Sequence, residues 1–156
     1  MELIQHEIRK GSSKKPELKE FIRQCLQNAQ NLHESVVVMI MDNAPCHSTI
    51  EEVFPEADFG HHHLLRLSLY SPMLNPIELA WFDLKSGVKS DSAIQMPHII
   101  ANENMANITQ TEYRLQSLEN IIEENINKLT VVKCTKYIAH IQSFVPDVLN
   151  MVDISF

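Results

Sequence analysis

Residues 36–41, "VVVMIM", are apolar throughout and rich in β-branched side chains, and the next residue is Asp42. So short an apolar run reads as a strand rather than a core helix, and one covered on both faces, as in a parallel sheet. A charge directly after such a strand suits the carboxyl end of an open α/β sheet, where ligands gather. That leaves the question of what else reaches the same place.

The pattern around the run supplies the rest of the order. Residues 15–31 form an expected amphipathic helix, with Leu18, Phe21, Ile22, Cys25, Leu26 and Ala29 at helical spacing and Pro16 in the first turn. Ser48–Glu51, "STIE", has the form of a capping box and is expected to open a short helix that stops near Pro55. "HHHLLRLSL" (61–69) is the second strand, and "YSPMLNPIE" then breaks regular structure. Pro76 starts a helix over 76–89 whose Ile77, Ala80, Trp81, Leu84 and Val88 share one apolar stripe, which makes Trp81 a core residue. Residues 90–110 read as polar and irregular. Helices over 111–129 and 131–145 follow, the last ended by Pro146. Strands alternating with helices indicate an α/β domain with parallel pairing, although only two strands are visible.

A chain of 156 residues is one domain's worth. No apolar run approaches the ~20 residues of a membrane helix, so no membrane partner is expected, and no apolar signal core precedes residue 15. Cys25, Cys46 and Cys134 are odd in number and far apart, which fits reduced thiols of the cytosol or nucleus. The net charge of -7 is opposite to that of a protein living by its grip on DNA phosphates. His61–His63, beside Cys46 and His47, lack the paired spacing of a zinc site and read as a polar strand entrance.

Asp42 leaves the first strand, and Glu78 lies in the first turn of the helix after the second. Two carboxylates brought to one sheet edge repel unless a cation lies between them. A hard divalent ion such as magnesium, which takes one or two carboxylates and keeps water and phosphate, answers that need. Taken singly, the aspartate is an ordinary turn residue and the glutamate an ordinary partner of the helix dipole. Asp83, five positions after Glu78, points about 140° away and is a poor third ligand.

"DNAPCH" followed by "YSPMLNPIELAWFDLK" resembles the mariner-type DDE transposases, whose catalytic domain is RNase H-like. The interval from Asp42 to Glu78 is close to the one usual in that superfamily. The resemblance implies metal-dependent cleavage and strand transfer on DNA, with Mg2+ or Mn2+ in a two-metal site held by three carboxylates. Asp42 falls on the second acid and Glu78 on the third, as catalytic and metal-binding residues. Asn43, His47 and Asn75 fall on supporting motif positions, and Arg66, Lys85 and Lys89 are candidate contacts to DNA phosphates. The resemblance also implies transposon ends and target DNA as partners, a homodimer or pairing with a full-length transposase, and a nuclear location.

The expected architecture is an α/β, partial RNase H-like fold. It lacks the N-terminal antiparallel strands and carries a C-terminal helical extension. A truncated catalytic core would occupy residues 1–90 and the extension residues 91–156. Residues 1–41 hold no aspartate, and Glu2, Glu7, Glu17, Glu20 and Glu34 lie in helical or polar segments, so the first acid has no counterpart. The alternative function is a non-catalytic DNA- or protein-interaction module derived from a transposase. With two of three acids, cation binding is expected to be weak and the chain inactive alone. Magnesium-dependent nicking of supercoiled plasmid should be absent. Nicking that disappears in Asp42→Ala would overturn that expectation.

Overall fold

The structure, a computed structural model, describes residues 5–9, 11, 14–33, 36–68, 72–101 and 108–150. Leu69, Tyr70 and Ser71, in the expected second strand and motif, lie outside the described residues, as do Glu2 and Glu34. The chain divides into two compact units, residues 2–75 with 140–156, and residues 76–139. The boundary expected at residue 90 falls inside a helix.

Within the first unit, α1 (Lys15–His33) forms because its apolar residues recur on one face, burying Ile22, Leu26 and Ala29. Strand β1 (Val38–Met41) pairs in parallel with β2 (His63–Arg66), Val38 opposite His63 and Met41 opposite Arg66. The parallel pairing is as expected; both strands are shorter than the apolar runs. Ile22 and Leu26 of α1 meet Ile50, Val53, Phe54 and Phe59 of the β1–β2 crossover, and Met39, Met41 and Leu64 pack against this core.

The expectation of a strand covered on both faces is not met. Val38 is 54 % exposed and Ile40 47 %, with Leu65 beside Ile40 on the same open face. Side chains alternate across a strand, and α1 and the crossover both pack on the Met39–Met41 side. Residues 5–9 add no strand either. Gln5 bonds Gln24 and Asn28 of α1, and Arg9 bridges Glu7 at 2.7 Å and Glu17 at 2.8 Å.

The "STIE" stretch does not form the expected capped helix. Two single 3₁₀ turns, Pro45–His47 and Ile50–Glu52, take its place, and the N-cap Thr49 makes no side-chain cap bond. Ser48 instead accepts a bond from Lys15 Nζ at 2.9 Å. Lys19 pairs with Glu52 at 2.5 Å, and Arg23 forks onto Glu56 at 2.7 and 2.9 Å. Three rungs thus join α1 to the crossover at steps of one helical turn.

In the second unit, α2 (Pro76–Ile100) continues through residues expected to be irregular. Asp91 accepts bonds from Asn125 Nδ2 of α3 (Gln110–Asn127) and from Nζ of its C-cap residue Lys128, both at 2.8 Å, and Ile99 is buried. These contacts hold the helix past Pro97. Gly87 lets the two helices approach, since a Cβ there would overlap Asn125 Oδ1. The capping box lies at the start of α3, where Thr109 and Glu112 satisfy each other's backbone N–H groups. Helix α4 (Val131–Leu149), whose residues 131–139 belong to this unit and 140–149 to the first, likewise runs through Pro146 instead of ending there.

His62, buried under β1, accepts the Val37 N–H on Nδ1 at 3.0 Å, so that nitrogen carries no proton. Gln30 of α1 and the neighbouring His61 and His63 face the same ring. Burial, then the two histidines, hold its pKa below the ordinary range. A depressed histidine pKa means stability present above the unfolded value of about 6.5 and lost as pH falls through the folded one. Urea midpoints should therefore drop on acidification below about pH 6.5, by up to about 1.4 kcal/mol per pH unit from this group. The drop should be shallower in His62→Gln; an identical pH profile would refute the assignment.

Candidate active site

The register of the parallel pair decides the surroundings of Asp42. Because Met41 lies opposite Arg66, the arginine emerges beside the residue that leaves β1. Its guanidinium donates to the Asp42 carbonyl at 2.8 Å, to the His47 carbonyl at 2.5 Å, and through Nε and Nη2 to Glu51. Arg66, expected as a DNA contact, is thus engaged in binding the turn after β1 to the crossover.

That turn aims the Asp42 side chain. Oδ1 accepts the Ala44 N–H at 3.1 Å and faces His47 Nδ1 at 2.6 Å, and neither bond uses Oδ2. A carboxylate only accepts, so His47 donates from Nδ1. The Ala44 N–H, then His47 and the Arg66 charge, hold the Asp42 carboxyl below its usual range, so it is ionised at neutral pH. Asn43 turns the other way and donates from Nδ2 to the Leu67 carbonyl on the strand-end side of β2. Cys46, on the same turn, is an exposed free thiol.

Glu78 occupies the first turn of α2 and is exposed, and Asn75 is buried just before that helix. Glu78 lines an open depression together with Phe82, Lys85, Ser86 and Lys89, so the glutamate and both candidate lysines share one side of α2. Asp83 belongs to a different side. It accepts bonds from Lys133 Nζ at 3.0 Å and from the Tyr137 hydroxyl of α4. Trp81 is 48 % exposed rather than core, with the Lys85 ammonium 5.9 Å from its ring centroid.

The candidates thus fall into two groups: Asp42, His47 and Arg66 in one compact unit, and Glu78, Lys85 and Lys89 in the other. Among the described residues no three His, Cys, Asp or Glu side chains gather as a ready metal site. The donor chemistry nevertheless fits a hard cation: an ionised carboxylate with one oxygen outside its two bonds, and an exposed glutamate.

A family model described as DDE superfamily endonuclease matches residues 4–98, a span that contains both acids and the whole motif between them. The chain belongs to the DDE superfamily endonuclease family. It therefore carries a transposase-like nuclease domain, of a superfamily that generally uses divalent metals and acts on DNA. No curated protein and no solved structure matches the chain. The helical structure with its small two-stranded parallel sheet is consistent with an α/β domain of this family.

The Arg66 fork is the feature that sequence reasoning missed, and only the strand register reveals it. Arg66→Ala should cost about 1–3 kcal/mol, the usual penalty for leaving buried or charged acceptors without their donor. It should also speed hydrogen exchange at the Ala44 amide, and Arg66→Lys should restore little, because an ammonium cannot fork. Wild-type exchange at Ala44 in the alanine variant would show that the guanidinium does not hold this turn.

Proposed function

We propose that the chain is a mariner-type member of the family with an RNase H-like architecture, in which Asp42 and Glu78 each lend a carboxylate to divalent-cation binding. The observation that supports this most is the anchoring of Asp42. The side chain is fixed at the carboxyl end of β1 by two bonds to a single oxygen, neither of which uses the other oxygen. A magnesium or manganese ion bound there would polarise the scissile phosphate and activate the attacking water.

The protein's own groups set up this chemistry. His47 and the Ala44 amide keep Asp42 charged and prevent its rotation. Arg66 fixes the backbone on either side of the turn, and its positive charge further favours the carboxylate. Lys85 and Lys89, on the Glu78 side of α2, offer cations to DNA phosphates. With Asp42 and Glu78 as its two assigned acids, the chain on its own is assigned weak cation binding and no strand transfer. Transposon-end and target DNA in the nucleus are the proposed substrates.

The open apolar face of Val38, Ile40 and Leu65 favours a second reading, pairing with another transposase copy without cutting. Manganese titration separates the two. Paramagnetic broadening of amide signals around Asp42 and Glu78, reversed by chelation and reduced in Asp42→Ala and Glu78→Ala, is the expected result. Broadening elsewhere, or none at millimolar manganese, would remove the cation role and leave the interaction reading.

A further inference from the structure

Phe82 is misplaced by the logic of an amphipathic helix. At about 100° per residue it lies roughly 100–140° from Ile77 and Trp81, on the side that carries Glu78, Lys85 and Lys89. It is 72 % exposed, the most exposed aromatic side chain among the described residues. The remaining side of α2 is engaged elsewhere, through Asp83 with α4 and through Gly87 and Asp91 with α3. An apolar ring on this polar side, one turn after Glu78 and followed by Lys85 and Lys89, contributes little to the core.

We propose that Phe82 stacks on an unpaired DNA base beside Glu78, while Lys85 and Lys89 hold the flanking phosphates. The ligand class follows from the composition of the depression. Lysines complement phosphate charge, and an exposed ring offers a stacking surface that any unpaired base accepts, the combination that binds single-stranded nucleic acid. The Lys85 ammonium lies 5.9 Å from the Trp81 ring centroid, a contact that steadies the side chain at the border of the depression. A base inside a duplex is already stacked on both faces, so this surface favours a frayed or overhanging end. The inference rests on the DNA reading above and adds the form of DNA that the site prefers.

The test compares fluorescein-labelled duplexes, one blunt and one with a short unpaired 3′ end, bound to the full chain in magnesium buffer. The overhang carries 2-aminopurine at its first unpaired position. Wild type should prefer the overhang and quench the 2-aminopurine. Phe82→Ala should weaken overhang binding roughly 5- to 150-fold while leaving the blunt duplex unchanged. Phe82→Trp should restore both preference and quenching, and Phe82→Leu should not. Lys85→Gln and Lys89→Gln should weaken both DNAs and flatten the salt dependence.

Phe82→Ala or Phe82→Leu that behaves as wild type, with the lysine variants still impaired, would overturn stacking and leave the DNA reading intact. Wild-type chain that binds neither duplex would overturn both. If sedimentation shows a wild-type dimer that Phe82→Ala dissociates, the ring belongs to a protein interface and the proposal fails.

Discussion

Everything around Asp42 depends on the pairing register of two four-residue strands. With Met41 opposite Arg66, one guanidinium reaches the Asp42 carbonyl, the His47 carbonyl and the Glu51 carboxylate together. A slip of one residue would turn Arg66 to the opposite face of the sheet and leave those acceptors without their donor. The register is itself set by burial, since Met39, Met41 and Leu64 must face Ile22 and Leu26 of α1. Packing on one face of the sheet thereby places charge at its end.

Helix α2 shows the same economy around its circumference. One side presents Ile77 and Trp81, a second ties Asp83, Gly87 and Asp91 to the neighbouring helices, and a third offers Glu78 and the lysines. The second side is satisfied within its own unit. Asn125 is nearly fully buried and bonds both Asp91 and the Ile121 carbonyl, which leaves it no freedom to make way for a side chain at position 87. A helix held this firmly on one side keeps the remaining sides in fixed orientation.

Much of this was legible in the residues. The apolar run gave the first strand, the proline-asparagine stretch gave the start of α2, and the two together carried the family. What sequence could not supply was tertiary. Polar residues 90–100 look like loop until Asp91 is seen to meet Asn125 and Lys128. Pro146 reads as a stop, yet a helix that has lost one hydrogen bond can continue. "STIE" and "TQTE" both fit a capping box, and only the second closes, because Lys15 takes up the serine of the first. The strand looked buried on both faces because apolar composition does not say how many layers surround it. The fork of Arg66 was not legible because two of its acceptors are backbone carbonyls, which no residue pattern reveals.

The three rungs between α1 and the crossover are spaced four residues apart on both sides: Lys15, Lys19 and Arg23 against Ser48, Glu52 and Glu56. Such a vernier has a degeneracy. Sliding the crossover by one helical turn would set Lys15 against Glu52 and Lys19 against Glu56, an alternative alignment of nearly equal Coulomb energy. Discrimination between the two falls to Ile50 and Val53, which are fully buried in one cluster with Ile22 and Leu26 of the helix. The charges fasten the crossover to α1; the hydrocarbon decides where.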